Sequence, residues 1–172
     1  MRLFIAINFN ESILESLINL QSEWTALGVR GNFTPLQNLH LTLAFIGEYG
    51  NPNAVLDAMN SVNFAPFNVA LDGIGTFRDL YWAGLKENTA LSNYVRRLRR
   101  ALAEHEIPFD RKKFSPHITL VRRAEFNGTI EELLKNSPVG QMEVNVVSLM
   151  SSTRGKRGMI YTKVGGVEAQ SR

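Results

Sequence analysis

The chain has 172 residues, 44% of them hydrophobic and 20% charged, with a formal net charge of +3 and an isoelectric point near 9.4. This is the composition of an ordinary soluble globular protein, long enough for one domain or two small lobes sharing a core. The absence of cysteine excludes disulfide frameworks, thiolate metal sites and cysteine nucleophiles, and it fits a reducing, cytoplasmic compartment.

The opening MRLFIAIN reads as a buried strand over 2–8, too short for a signal-peptide core or a bilayer span. Asn10 can cap a helix over 11–27, in which Ile13, Leu14, Leu17, Trp24 and Leu27 recur at helical spacing before Gly28 stops it. A loop containing Pro35 leads to a strand over 39–46, a helix over 53–62 and a strand over 67–76. A strand over 80–86 follows. Asn88 or Thr89 can cap a helix through Leu91, Tyr94, Val95, Leu98 and Leu102, closed by Pro108. The remaining expectations are a strand over 116–122, a short helix over 129–136, and strands over 142–150 and 158–164. The end of the chain, 165–172 (GGVEAQSR), reads as a disordered tail.

Two segments of this order carry the same tetrapeptide pattern, HLTL from His40 and HITL from His117, 77 residues apart. Sliding the chain by that distance lays strand on strand and helix on helix. Leu3 meets Leu80, Ala6 meets Ala83, and Leu14 meets Leu91. The register predicts two β-α-β-α-β copies, roughly 2–76 and 79–150, with a final strand at 158–164. All of 1–164 then forms one two-lobed unit with pseudo-twofold symmetry.

Because side chains alternate along a strand, His40 and Thr42 share one face while Leu41 and Leu43 anchor the other. His117 and Thr119 repeat the arrangement with Ile118 and Leu120 behind them. A pseudo-twofold would set two imidazoles and two hydroxyls around one cleft. That set suits phosphodiester chemistry. One neutral His takes a proton while a protonated His gives one to the leaving oxygen, and Thr hydroxyls donate to the phosphate oxygens. Arg122 is the nearest guanidinium, but strict alternation puts it on the leucine side, so a strand end or bulge must turn it inward. A zinc site is the rival chemistry. It would need a third protein ligand, and no third His or acidic residue stands at a telling spacing.

Other features carry less. Basic residues gather at Arg96, Arg97, Arg99 and Arg100, at Arg111, Lys112 and Lys113, at Arg122 and Arg123, and at Arg154, Lys156 and Arg157. They read as solvated faces that also attract polyanions such as RNA. Phe45, Tyr81, Trp82 and Phe114 are either core aromatics or a stacking face for a terminal base. Tyr161 stands near the last basic loop. His105 reads as a surface residue at a helix C-terminus.

The paired HLTL and HITL motifs, the opening MRLFIAI, the continuation LAFIGE and the stretch SPHITLVR resemble the two-histidine phosphoesterases. Among them the resemblance is to the RNA 2',3'-cyclic phosphodiesterases, also called 2'-5' RNA ligases, over nearly the whole chain to about residue 164. It implies an α+β fold with two antiparallel sheets lining a central cleft, one tetrapeptide per lobe. It implies His40 as proton donor to the leaving oxygen, His117 as proton acceptor activating water, and Thr42, Thr119 and Arg122 as phosphate binders, with no metal or other cofactor. The implied partner is an RNA end carrying a 2',3'-cyclic phosphate, tRNA-like or oligonucleotide, opened to a 2'-phosphate by a monomer that binds no membrane. The reverse reaction is 2'-5' ligation. The alternatives are a related activity on 2'-5' oligoadenylate or a cyclic phosphate of ADP-ribose, and an RNA-end-binding module without turnover.

Overall fold

The computed structural model describes residues 1–135 and 137–170. Nine strands and four α-helices follow in the order β1 (Arg2–Asn8), α1 (Glu11–Leu27), β2 (Arg30–Phe33), β3 (His40–Glu48), α2 (Pro52–Asn60), β4 (Phe67–Phe77), β5 (Leu80–Leu85), α3 (Thr89–Glu104), β6 (Ile118–Glu125), α4 (Ile130–Leu134), β7 (Gln141–Val144), β8 (Val146–Gly155) and β9 (Gly158–Glu168). A single 3-10 turn, Leu36–Asn38, leads into β3. Among the described residues no helix is long and apolar enough to cross a membrane.

Local chemistry sets the helix ends. The Asn10 side chain accepts from the Ile13 amide at 3.0 Å, and Gly28 closes α1 at a φ of 104°, a left-handed conformation that glycine adopts without steric cost. Asn88 caps α3 in the same way, accepting from the Leu91 amide at 2.9 Å. His105 is the exposed C-cap of that helix.

The strands form two antiparallel sheets, β3-β1-β8-β9 and β2-β6-β5-β4-β7. The fold is therefore α+β with two antiparallel sheets, as the family resemblance implies. Alternation in β1 sends Leu3, Ile5 and Ile7 into the main core, while Phe4 and Ala6 join Met150, Phe45 and Tyr161 in a smaller apolar cluster.

The two copies are interlocked. Under the shift of 77 residues, β1 and β3 correspond to β5 and β6, and β4 corresponds to β8. Yet β4 pairs with β5, and β8 pairs with β1. Each sheet thus draws its third strand from the other copy.

Three expectations need correction. The run over 142–150 is two strands, not one. β7 pairs with β4, β8 pairs with β1 and β9, and the chain changes sheet at Asn145. The run QMEVNVVSLM is strand-forming almost throughout, and the lapse of its alternation at Val146 and Val147 does not reveal the switch, because a period of two reports faces and not neighbours. The tail expected over 165–172 is strand as far as Glu168, with Val167 buried and paired to Val147. Its glycines mark close packing instead. A Cβ on Gly165 would lie 2.9 Å from the Leu56 methyls of α2, so the helix sits on the strand there. Residues 171 and 172 of that expected tail fall outside the described residues. Last, the short polar edge strand β2 (RGNF) stands where a loop was expected.

Candidate active site

Both motif histidines are held by one local device. His40 Nδ1 donates to the Asn38 carbonyl oxygen at 2.6 Å, and His117 Nδ1 donates to the Ser115 carbonyl oxygen at 2.7 Å. In each case the acceptor lies two residues upstream. A carbonyl can only accept, so each neutral ring carries its proton on Nδ1 and leaves Nε2 as the free base. Asn38 is itself buried and fixed, its Nδ2 donating to the Met159 carbonyl oxygen of β9 at 2.9 Å.

Aromatic rings wall each imidazole. Phe4 and Tyr161 stand 5.0 and 5.3 Å from the His40 ring. Phe77 and Trp82 stand 5.1 and 6.3 Å from His117. Trp82 lies across Gly75, its cross-strand partner, and a Cβ on Gly75 would overlap the indole. Gly75→Ala should therefore push Trp82 off its strand and disturb the wall beside His117. The expected cost is about 1–3 kcal/mol of stability with a matching loss of activity, read by thermal melts and initial rates.

The cleft has a volume of about 840 Å³ and is lined by His40, Thr42, Phe45, Arg2, Phe4 and Glu48 from β1 and β3, by Arg154, Met159 and Tyr161 from the β8–β9 hairpin, and by Arg122 from the facing sheet. Thr42 Oγ1 lies 2.9 Å from His40 Nε2. Arg2 sits over the Phe45 ring at 4.7 Å, and the Glu48 carboxylate takes the N-terminal ammonium at 3.1 Å. β3 touches β6, the strand that follows His117. Burial chiefly holds the His40 imidazole below its ordinary pKa. The hydrogen bond to Asn38 works the other way, and the positive charges of Arg122 and His117 lower it further.

Arg122 reaches this cleft through a bulge. Tyr81 pairs with Val121 and Trp82 with Thr119, so Leu120 is passed over. Leu120 and Val121 are both fully buried, and Arg122 returns to the side of Thr119. The first copy does the same. Ile5 pairs with Ala44 and Ala6 with Thr42, Leu43 is passed over, and Phe45 emerges at the position equivalent to Arg122. The same bulge thus presents an aromatic ring in one copy and a guanidinium in the other.

The structure brings His40, Thr42 and Arg122 into the cleft, while His117 is not among the residues that line it and stands beside Phe77 and Trp82. Thr119, half-buried, lies on β6 opposite Trp82. Of the four aromatics singled out in the sequence, Phe45 lines the cleft and Trp82 adjoins His117. Tyr81 packs edge-on against Trp24 at 6.0 Å, and Phe114 lies beneath Arg99 at 5.7 Å. Sequence reasoning missed Arg2, Phe4 and the two upstream carbonyls. The carbonyls had a signal, the identical two-residue offset from each histidine. Among the described residues no three His, Cys, Asp or Glu side chains gather in a cluster fit to hold a metal ion.

Residues 20–156 match the 2'-5' RNA ligase superfamily. The chain belongs to that superfamily. It is 31% identical to an RNA 2',3'-cyclic phosphodiesterase of Aquifex aeolicus, covering 95% of this chain and 94% of the relative. It is 28% identical to one of Archaeoglobus fulgidus, covering 94% and 96%. Among solved structures, Escherichia coli LigT complexed with 3'-AMP superposes with a TM-score of 0.84 at 27% identity, covering 99% of this chain and 98% of that one.

Proposed function

We propose that this protein hydrolyses terminal 2',3'-cyclic phosphates on RNA, leaving a 2'-phosphate and a free 3'-hydroxyl. The observation that carries the reading is the pair of motif imidazoles, each held with its proton on Nδ1 by a carbonyl two residues upstream, one of them in a cleft that also contains Arg122 and Thr42. The names of the relatives at about 30% identity support the substrate.

In the proposed reaction His117 Nε2 removes a proton from water as its oxygen bonds to phosphorus. The P–O3' bond breaks, and His40, protonated on Nε2, gives that proton to the departing 3'-oxygen. Arg122 and the hydroxyls of Thr42 and Thr119 stabilise the charge that builds on the non-bridging oxygens.

The His40–Thr42 contact couples two of these roles. While His40 is neutral, the Thr42 hydroxyl donates to Nε2. Once Nε2 is protonated it donates to Thr42 Oγ1, and the hydroxyl proton is released for the phosphate. The acid-competent form of His40 is therefore also the form in which Thr42 can donate to substrate. With the 5'-hydroxyl of a second RNA in place of water, His117 would take the proton of that hydroxyl as its oxygen bonds to phosphorus, and His40 would again protonate the departing 3'-oxygen, giving a 2'-5' linkage in line with the superfamily's name.

The test is incubation with an RNA oligonucleotide ending in a 2',3'-cyclic phosphate, with and without EDTA, followed by end-group analysis. The expected product is a 2'-phosphate at a rate unaffected by EDTA. Parallel incubations with 2'-5' oligoadenylate and the cyclic phosphate of ADP-ribose check the substrate class. Turnover of one of these with the RNA end untouched overturns the substrate and keeps the chemistry. Binding of the RNA end without product makes the protein a binding module.

A further inference from the structure

Two side chains behind the sheets make matching contacts with the two motif strands. Gln21 of α1, buried at 6% exposure, donates from Nε2 to the Leu120 carbonyl oxygen at 3.0 Å and to the Thr34 carbonyl oxygen at 3.0 Å. Arg99 of α3 donates from Nε and Nη2 to the Leu43 carbonyl oxygen at 3.2 and 3.0 Å and from Nη1 to the Lys112 carbonyl oxygen at 2.7 Å. Leu43 and Leu120 are the residues passed over by the two bulges. They occupy equivalent places in the two copies, and Thr34 and Lys112 nearly do.

A bulge leaves its extra residue outside the strand ladder, and a buried carbonyl there needs a donor. The donor comes from the opposite copy each time. α1, from the first copy, holds the bulge of β6, and α3, from the second, holds the bulge of β3. The other bond made by each side chain goes to the segment entering the motif of its own copy, Thr34 ahead of His40 and Lys112 ahead of His117. Each clamp therefore ties the approach to one histidine to the turn just past the other copy's threonine. Backbone bonds reinforce both ties, from the Thr34 amide to the Leu120 carbonyl oxygen at 2.9 Å and from the Asp110 amide to the Phe45 carbonyl oxygen at 2.8 Å. Arg99 is accordingly no part of a solvated basic face. Phe109 and Phe114 flank its guanidinium, and burial lowers its pKa.

We infer that Gln21 and Arg99 are paired positioning residues that fix the spacing of His40 and His117 and the inward set of Arg122 and Phe45. This rests on the two-histidine hydrolysis proposed above. Neither side chain meets the substrate, so their loss should be felt in kcat, where imidazole geometry counts, and little in KM.

The experiment compares Arg99→Ala, Arg99→Lys and Gln21→Met in steady-state hydrolysis of a 2',3'-cyclic-phosphate oligonucleotide, with cooperative thermal melts certifying each variant as folded. Arg99→Ala and Gln21→Met are expected to lower kcat about 10- to 100-fold, the loss of a hydrogen bond or two to a buried carbonyl, with KM moved less than about threefold. Arg99→Lys, which keeps a donor but not the fork, should recover part of the loss. Where Arg99→Ala does not fold, the lysine and Gln21→Met variants decide. Folded variants with wild-type kcat overturn the inference. A second arm titrates inorganic phosphate while following both imidazole signals by NMR. In the wild type both imidazole signals should move together with one shared affinity, and in Gln21→Met and Arg99→Lys the size of their shifts should change and no longer match. If the wild type turns over no cyclic phosphate, the functional reading fails, and imidazole shifts in the variants identical to wild type still overturn the clamp.

Discussion

His40→Ala and His117→Ala should each lower kcat for cyclic-phosphate hydrolysis by roughly 100- to 10,000-fold while leaving the fold intact. Both rings are only half-buried, so truncation opens no large core cavity. The two losses separate on a substrate with a better leaving group. A phosphodiester that expels nitrophenolate needs no proton on its departing oxygen. His40→Ala should then lose little against wild type, while His117→Ala remains impaired because water must still be deprotonated. Initial rates on the two substrates check this. The opposite pattern would exchange the roles of donor and acceptor.

Arg122→Gln should produce the second largest effect, and it should show in both rate and pH dependence. Losing a charged donor to the phosphate lowers kcat/KM by about 10- to 100-fold. The positive charge of Arg122 is also one of the causes, after burial, that hold His40 below its ordinary pKa. A general acid works while protonated, so the alkaline limb of kcat/KM follows proton loss from His40 in the free enzyme. Removing a positive neighbour raises that pKa, and the limb moves to higher pH. His117 exerts the same sign of effect, while Arg2, Arg154, Glu48 and Tyr161 share the cleft and are left unchanged. A pH profile of kcat/KM for wild type and variant measures the shift. A limb that stays in place would mean that His40 is not the acid.

Much of this site is legible in the sequence because strand alternation is rigid. The spacing of His40 to Thr42 and of His117 to Thr119 fixes a common face, and the shift of 77 residues fixes their equivalence. The same rule exposes its own exception, since Arg122 stands on the wrong parity unless a residue is passed over, and Leu120 is that residue. What stayed hidden is pairing. In QMEVNVVSLM only the doubled valine at 146 and 147 breaks the alternation, and a doubled apolar residue does not say that the chain leaves one sheet for the other at Asn145. The glycines at 165 and 166 are as typical of a loose tail as of a strand with a helix resting on it. Gln21 and Arg99 look like surface residues of amphipathic helices, and their use depends on which strand lies beneath, a tertiary fact with no local signature.

The crossing of β4 and β8 between sheets has a consequence for what this architecture can be divided into. A cut in the turn at Arg78 and Asp79, between β4 and β5, yields two fragments that each lack the middle neighbour of their own outgoing strand. Neither can complete a sheet unaided, and the natural remedy is mutual complementation.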